Sequence, residues 1–184
     1  MIDDHDLDEP DPGLTDGLVR LRRWVLADLP CVEAASDEGR IPQSTTVPAS
    51  FTVAAGQEWI ARQHRRMTSG QGWSLAIAEV GTDRAVGCMV LLLRPQPGVG
   101  GIGFWLIPAA RDQGYASRAV ELMASWALGP GGLARVEAWV EPGNLASVAV
   151  LGRCGFELEG RLRSLLSFGS RRADALVFSR IAAT

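Results

Sequence analysis

FWLIPAARDQGYASRAVELMASWAL, residues 104–128, is the stretch that decides the fold of this chain. It begins with an apolar run over residues 104–107, which Pro108 ends, and this pattern predicts a short strand. Residues 109–115 then form a tight loop. From about Ala116 apolar residues recur at helical spacing, which predicts an amphipathic helix with one buried face. The stretch is therefore a strand, a loop and a helix in immediate succession.

The loop within this stretch has the features of an anion-binding site. RDQGYA, residues 111–116 and here called the cradle loop, has little bulk at Gly114 and Ala116, so backbone N–H groups can approach a ligand closely. These N–H groups precede a helix, and a helix N-terminus favours negative charge. Arg111 adds a positive charge. The pattern predicts a pyrophosphate site, with an ordinary strand-to-helix turn as the alternative.

Two other phosphate-binding motifs do not account for the chain. Its basic residues are 18 arginines without a lysine, which excludes a Walker P-loop and any Schiff-base mechanism. A literal G-x-G-x-x-G occurs at Gly98, Gly100 and Gly103, but it follows a proline-rich segment and opens a strand instead of a helix. We interpret this motif as a glycine-rich hairpin loop.

A second strand–turn–helix unit follows downstream. Residues 133–141, LARVEAWVE, alternate between apolar and polar side chains, which predicts a half-buried strand. Pro142 and Gly143 end it. Asn144 then stands at the N-cap position of a helix that runs to about Cys154 and stops at Gly155.

The remaining periodic segments complete a mixed α/β fold. Residues 1–17 are crowded with Asp, Glu, Pro and Gly, which predicts a disordered acidic tail before a single domain over residues 18–184. The order of elements, a strand, two helices, three strands, a helix, a strand, a helix and two strands, predicts a predominantly antiparallel sheet. The predicted strands and helices outside the two units are strands at 18–22, 74–79, 85–93, 156–166 and 173–181, and helices at 29–38 and 53–67, with a loop at 39–51.

Composition excludes several classes of protein. At 184 residues and 47% hydrophobic, the chain can form one domain with a core, and its net charge of −3 gives no basis for binding nucleic acid or an anionic membrane. The acidic N-terminus does not resemble a secretory signal. Cys31, Cys88 and Cys154 are widely spaced, which argues against disulfides and against a zinc site. We expect a cytoplasmic protein without metal or membrane partners.

The ordered set of motifs resembles the GNAT family of N-acetyltransferases. RDQGYA at 111–116, EPGN at 141–144, NLAS at 144–147 and GFELEGRLR at 155–163 are similar to its RimJ/RimL-type branch, over roughly residues 18–181. The resemblance implies acetyl-CoA as the donor and a primary amine, on a protein N-terminus or a small molecule, as the acceptor. It also implies that the fourth and fifth strands, residues 102–107 and 133–141, splay apart around the acyl arm. A homodimer is one option for the oligomeric state.

The same resemblance implies roles for individual residues. A backbone N–H near Leu106 would stabilise the carbonyl oxygen. Asn144 would bond the pantetheine arm, and Ser147 would protonate the departing thiolate, because the tyrosine that many members have near Leu151 is absent. The predicted cofactor-binding residues are Leu106, Ile107, Arg111, Gln113, Gly114, Tyr115, Ala116, Ser117 and Asn144.

The general base is the position at which this chain departs from the family. Members of the branch often carry a glutamate at the start of the fourth strand, where this chain has Gly101. Glu141 is the substitute candidate, with a solvent-facing strand end as its alternative interpretation. The absent glutamate leaves a second hypothesis open, a non-catalytic acyl-CoA-binding or regulatory module. Asp112 is expected to point to solvent, and Cys154 to be a buried structural cysteine.

Overall fold

The computed structural model describes residues 13–182, which form one mixed sheet flanked by helices. The strands within this range are β1 (Leu14–Thr15), β2 (Val19–Arg22), β3 (Gly72–Glu79), β4 (Ala85–Leu93), β5 (Val99–Leu106), β6 (Arg135–Val140), β7 (Glu157–Phe168) and β8 (Arg171–Ile181). The α-helices are α1 (Leu29–Asp37), α2 (Arg40–Ser44), α3 (Val53–Thr68), α4 (Tyr115–Leu128) and α5 (Leu145–Arg153).

The sheet follows the order β1-β2-β3-β4-β5-β6-β8-β7. Every neighbouring pair is antiparallel except β5 and β6, which run parallel. Their pairing extends only from Val99–Arg135 to Ile102–Ala138, although β5 continues to Leu106 and β6 to Val140. The two strands therefore separate beyond Ile102. They correspond to the predicted fourth and fifth strands, so the predicted splay between those strands is confirmed.

Helices cover both faces of the sheet, and two adjacent residues of β3 demonstrate it. The Ser74 hydroxyl donates to Gln63 Oε1 on α3 at 2.9 Å. The next side chain along the strand, Trp73, packs edge-on against Trp126 of α4 with ring centroids 5.2 Å apart. Because neighbouring side chains in a strand point to opposite faces, α3 and α4 lie on opposite sides. One hydrophobic core includes residues from the helices on both faces of the sheet. The residues that α4 contributes to it include Ala119, Val120, Met123 and Ala127.

The glycine-rich segment is strand and not hairpin loop. β5 begins at Val99, and the connection from β4 is the short turn over residues 94–98, in which the Arg94 N–H donates to Val99 O at 2.9 Å. Gly100 is needed there because a Cβ would stand 2.7 Å from Leu91 Cδ1 and 2.8 Å from Leu133 Cδ1. Close packing against neighbouring side chains, which has no local sequence period, explains Gly100.

Two further boundaries differ from the prediction. Within the predicted tail, Leu14 pairs with Leu21 in the sheet, and Asp16 accepts from Arg118 on α4, so the fold includes residues 13–17. Residues 1–12 of that tail lie outside the described range. The predicted 39–51 loop contains the short helix α2, whose first N–H groups, on Arg40 and Ile41, donate to the Glu38 carboxylate at 3.0 and 2.9 Å. Among the described residues, no helix is both long and apolar enough to cross a membrane.

Candidate active site

The cradle loop joins β5 to α4 at the end of the sheet where β5 and β6 separate. A 3₁₀ turn over Pro108–Ala110 follows the strand, and α4 begins at Tyr115. Gly114 adopts a left-handed conformation with φ of +79°, which glycine tolerates without strain. Asp112 also has positive φ, at +61°, and its side chain is exposed, as predicted. The two left-handed residues turn the chain sharply into the helix.

The backbone N–H groups from Asp112 to Ser117 have no partner in the part of the chain that the structure describes. The first N–H at the start of α4 that donates along the chain is that of Arg118, to Gly114 O at 3.2 Å. The N–H groups of residues 112–117 have no acceptor within residues 13–182. Unsatisfied donors at a helix N-terminus form a site for an anion. The predicted donors on Gln113, Gly114, Tyr115, Ala116 and Ser117 therefore lie together.

The side chains of the loop hold it to the rest of the protein. Arg111 donates from Nε to Leu106 O at 3.3 Å and from a terminal nitrogen to Glu38 Oε1 at 2.9 Å. Its charge is thus compensated by Glu38, which the sequence did not mark as a partner. The Tyr115 hydroxyl donates to Glu79 Oε1 at 3.2 Å. The side chains of Arg111 and Tyr115 therefore position the loop. The Arg111 N–H donates to Pro108 O at 3.2 Å, so of these two residues only Tyr115 has an N–H among the partner-free groups.

The Glu38 carboxylate has an altered pKa because of these contacts. Burial alone would raise the pKa of Glu38, but hydrogen bonds from Arg111 and from the N–H groups of Ile41 and Arg40 lower it overall. The carboxylate therefore stays ionised at neutral pH and links the end of α1 to the cradle loop.

The separated strand edges expose backbone groups beside the loop. The Ile107 N–H donates to Val86 O on β4 at 3.0 Å, and Ile107 O accepts from Ala110. Because successive residues of a strand present their backbone groups to alternate sides, the Leu106 N–H faces the gap. Leu106 is therefore the better candidate donor to a carbonyl oxygen, and Ile107 is a weak one because its own backbone is already engaged.

Asn144 and Ser147 lie at the N-terminus of α5, beyond the end of β6. The Asn144 side chain is the N-cap, since its Oδ1 accepts from the Ser147 backbone N–H at 3.2 Å. Asn144 is exposed, and Ser147 is half-buried. The Ser147 hydroxyl is not part of the cap, so it is available for another role.

Glu141 is held by an ion pair in this structure. Both of its carboxylate oxygens accept from Arg171, at 2.8 and 2.9 Å. The Arg171 guanidinium holds the pKa of Glu141 below its usual range. A carboxylate with a lowered pKa and a bidentate partner is a poor proton acceptor at neutral pH, so the pairing weighs against Glu141 as the general base.

One face of β5 forms the floor of an open cleft. Gly101, Gly103 and Trp105 alternate on this face, and a Cβ at Gly103 would meet no atom within 4 Å. Trp105 is half-buried and stacks near Trp24 and Trp59, with ring centroids 6.1 and 6.3 Å away. Trp24 and Trp59 are only 1% and 2% exposed, so Trp105 is the accessible one of these three side chains.

Gly101 is extended and not left-handed, and a side chain occupies the space above it. A Cβ at Gly101 would lie 2.6 Å from both Cζ and Nε of Arg94. The place where the branch often has a glutamate is therefore covered by a guanidinium. No sequence motif predicts this arrangement, because the return of Arg94 over β5 depends on the turn over residues 94–98.

The remaining candidates are structural. Cys154 is buried and its Sγ donates to Ser117 O at 3.3 Å, and burial raises the pKa of this thiol. It is therefore a packing residue between α5 and α4. Within residues 13–182, no group of three or more His, Cys, Asp or Glu side chains could hold a metal ion.

Comparison with known proteins assigns the family. Residues 19–157 match the family model described as the acetyltransferase (GNAT) domain. The chain is 30% identical over 115 residues to the probable N-acetyltransferase YjcK of Bacillus subtilis, a match that covers 61% of this chain and 64% of YjcK. The chain thus spans somewhat less than two thirds of that relative. This chain belongs to the GNAT acetyltransferase family, as its motifs predicted.

Solved structures share the whole fold. RimL, the ribosomal L7/L12 alpha-N-protein acetyltransferase solved in complex with coenzyme A, matches with a TM-score of 0.78 at 18% identity, covering 92% of this chain and 96% of that one. RimJ of Mycobacterium smegmatis, in complex with CoA-disulfide, matches with a TM-score of 0.78 at 21% identity, covering 89% and 82%. The predicted fold class is confirmed.

Proposed function

We propose that this protein transfers an acetyl group from acetyl-CoA directly to a primary amine, on a protein N-terminus or a small molecule. Acetyl-CoA is the donor that the GNAT assignment implies. The observation that carries the proposal is the gap between β5 and β6, which opens beside the partner-free N–H groups of residues 112–117. Acetyl-CoA carries a diphosphate and a thioester on one arm. It therefore needs an anion site with an adjoining gap, which the N–H groups of residues 112–117 and the separated strands would provide.

The cradle loop would hold the pyrophosphate through its backbone. Its N–H groups and the N-terminus of α4 supply the positive potential, since the Arg111 charge is compensated by Glu38. Asn144 would donate from its amide nitrogen to the pantetheine arm, because only its oxygen is used by the cap. Acetyl-CoA supplies the acetyl group as an activated thioester.

The transfer step needs few side chains. The amine nitrogen forms a bond to the carbonyl carbon while the carbon–sulfur bond breaks, so the amine loses a proton to solvent and the thiolate gains one. The Leu106 N–H faces the gap and would stabilise the negative charge that develops on the carbonyl oxygen. The Ser147 hydroxyl would give the proton to the thiolate and regain it from water.

The acceptor should have an amine that is partly neutral at neutral pH. Gly101 supplies no carboxylate, and Glu141 is paired with Arg171. An α-amine has a pKa of about 8, whereas a lysine side chain has about 10.4, so a site without a strong base favours α-amines. The name of the RimL neighbour, an alpha-N-protein acetyltransferase, supports an N-terminal amine as the acceptor.

An acceptor panel with acetyl-CoA tests the proposal. Free thiol and acetylated product should appear in equal amounts with peptide N-termini or small α-amines, and more slowly with lysine side chains. Acetyl-CoA binding without turnover on any amine would instead favour the non-catalytic acyl-CoA-binding module. Preferential acetylation of lysine side chains would contradict the account of the missing base.

A further inference from the structure

Arg94 occupies the place on the cleft floor that a carboxylate would take from position 101. It follows β4 directly, and its side chain turns back over β5, so that Cζ lies 2.6 Å from where a Gly101 Cβ would stand. The guanidinium also stacks on Trp139 of β6, with Cζ 4.1 Å from the ring centroid. Glycine at 101 and an indole at 139 therefore hold a cation in a fixed position.

The charge of Arg94 is uncompensated within the described residues. Its half-buried side chain makes no ion pair there, and Nε is buried without a hydrogen-bond partner. The carboxylate nearest along β6, on Glu137, is already engaged, because its oxygens accept from Arg135 Nε at 2.9 Å and from Trp139 Nε1 at 3.2 Å. An immobilised guanidinium with free donors is a site for an oxyanion.

The position of Arg94 places that site beside the reaction. The last pair between β5 and β6 is Ile102–Ala138, so Gly103 and Trp139 are the first residues past the point where the strands separate. Open space lies above Gly103, and the half-buried Trp105 follows on the same face. Along this face of β5, the Arg94 guanidinium above Gly101 is thus followed by the open space at Gly103 and then by the Trp105 ring.

We propose that Arg94 is a specificity-determining residue that binds an anionic group, a carboxylate or a phosphate, close to the amine of the acceptor. The inference rests on the proposed function, because it names the class of amine which that same site takes. A glutamate at position 101 would attract the ammonium form of an acceptor and repel a nearby anion. Arg94 reverses the sign of this position, so acidic acceptors are selected.

Acceptor pairs that differ only in the anionic group test the proposal. The probes are the peptide amides Ser-Glu-Ala and Ser-Gln-Ala, serine and serinamide, and phosphoethanolamine and ethanolamine, which separate a carboxylate from a phosphate. The wild type should prefer the anionic member of at least one pair by about 10-fold or more in kcat/KM, as charge-assisted bidentate hydrogen bonds allow. Arg94→Gln should lower kcat/KM for the anionic member more than for the neutral member, so that the preference is lost, and Arg94→Lys should keep part of it.

Arg65→Gln is the matched control, because it removes one exposed arginine charge from α3. It should leave the preference unchanged. Equal rates on both members of every pair in the wild type would overturn the proposal, and so would an Arg94→Gln variant that retains the preference. If no amine is acetylated, the proposed function fails separately. Calorimetric affinities of the same pairs with desulfo-CoA present then decide the inference, because binding without an anionic preference contradicts it.

Discussion

The donor side and the acceptor side of the cleft are built from different kinds of groups. On the donor side, the anion site consists of backbone N–H groups at residues 112–117, and the neighbouring side chains of Arg111 and Tyr115 are engaged elsewhere. On the acceptor side, the floor of β5 is defined by side chains, with Arg94 above Gly101 and Trp105 beyond Gly103.

Because of this difference, related proteins can keep the same donor site while their sequences change, whereas the acceptor site can change from one relative to the next. A backbone site tolerates most side chains as long as the turn and the helix N-terminus are kept, so a common donor can be bound by very different sequences. A side-chain site changes its chemistry with one substitution, as the arginine above Gly101 demonstrates. The expected effects of substitutions on the two sides follow from this contrast.

The largest effect is expected from Ala116→Glu on the donor side. The new side chain places bulk and negative charge against the pyrophosphate, so acetyl-CoA affinity should fall by about 100-fold or more. Calorimetry measures the acetyl-CoA affinity of the variant and of the wild type. Ala54→Glu makes the same change at the second residue of α3 and should bind normally. Unchanged affinity in a folded Ala116→Glu protein would remove the cradle loop from the donor site.

Gly103→Leu is the corresponding change on the acceptor side. A leucine there enters open space above β5, so the fold should tolerate it while acceptor placement is lost. We expect kcat/KM for the acceptor to fall by about 100-fold, the size of effect that misplacement of a reactant produces, with acetyl-CoA affinity kept. Gly160→Leu, on exposed β7, is the control. Full activity in Gly103→Leu would place the acceptor elsewhere.

Ser147→Ala should have a smaller effect on turnover. The helix cap uses the Ser147 backbone N–H and not its hydroxyl, so α5 should remain intact. Loss of the proton donor should lower kcat by about 10- to 100-fold, towards the low end of general-acid effects. Steady-state kinetics and thermal unfolding separate chemistry from stability. Wild-type turnover would exclude Ser147 as the acid.

Glu141→Gln should have the smallest effect, because Arg171 already engages this carboxylate. We expect kcat to change by less than about threefold and the pH–rate profile to keep its shape, unlike the loss that follows removal of a general base. A drop in kcat with a flattened rising limb would restore Glu141 as the base.

The same variant has a defined pH dependence of stability. Arg171 lowers the pKa of Glu141 in the folded state, so the stabilisation is present above the unfolded pKa of about 4.3 and is lost as pH falls through the folded value. Because both side chains are substantially exposed, the loss in Glu141→Gln at pH 7 should be below about 1 kcal/mol. Denaturant unfolding at pH 7 and near pH 3 measures the difference, which should shrink as the pH falls.

The elements that the sequence predicted well are those with a strong local pattern. The starts of α4 and α5 fall within one residue of their expected places, because periodicity and the Asn144 cap are local signals. The predicted start of β5 lies too far along the chain. Gly100 and Gly103 pair with β4, but glycines contribute nothing to an apolar pattern in the sequence.

Contacts between distant segments of the chain could not be derived in the same way. Arg111 and Glu38 are 73 positions apart, and the stacking of Arg94 on Trp139 joins β4 to β6 through the fold. Pairs of this kind depend on where the chain returns in space, and no window of sequence contains both partners. Motifs therefore predicted the proposed donor side, whereas the proposed role of Arg94 on the acceptor side required the structure.

The most direct test of the account is the response of individual backbone amides to acetyl-CoA. In a ¹⁵N-labelled sample titrated with acetyl-CoA, we predict the largest chemical-shift changes at the amides of residues 112–117 and of Leu106, with small changes at Ile107, whose N–H is bonded to Val86. Binding that leaves the 112–117 amides unperturbed while other regions shift would contradict the claim that the donor is held by this backbone site.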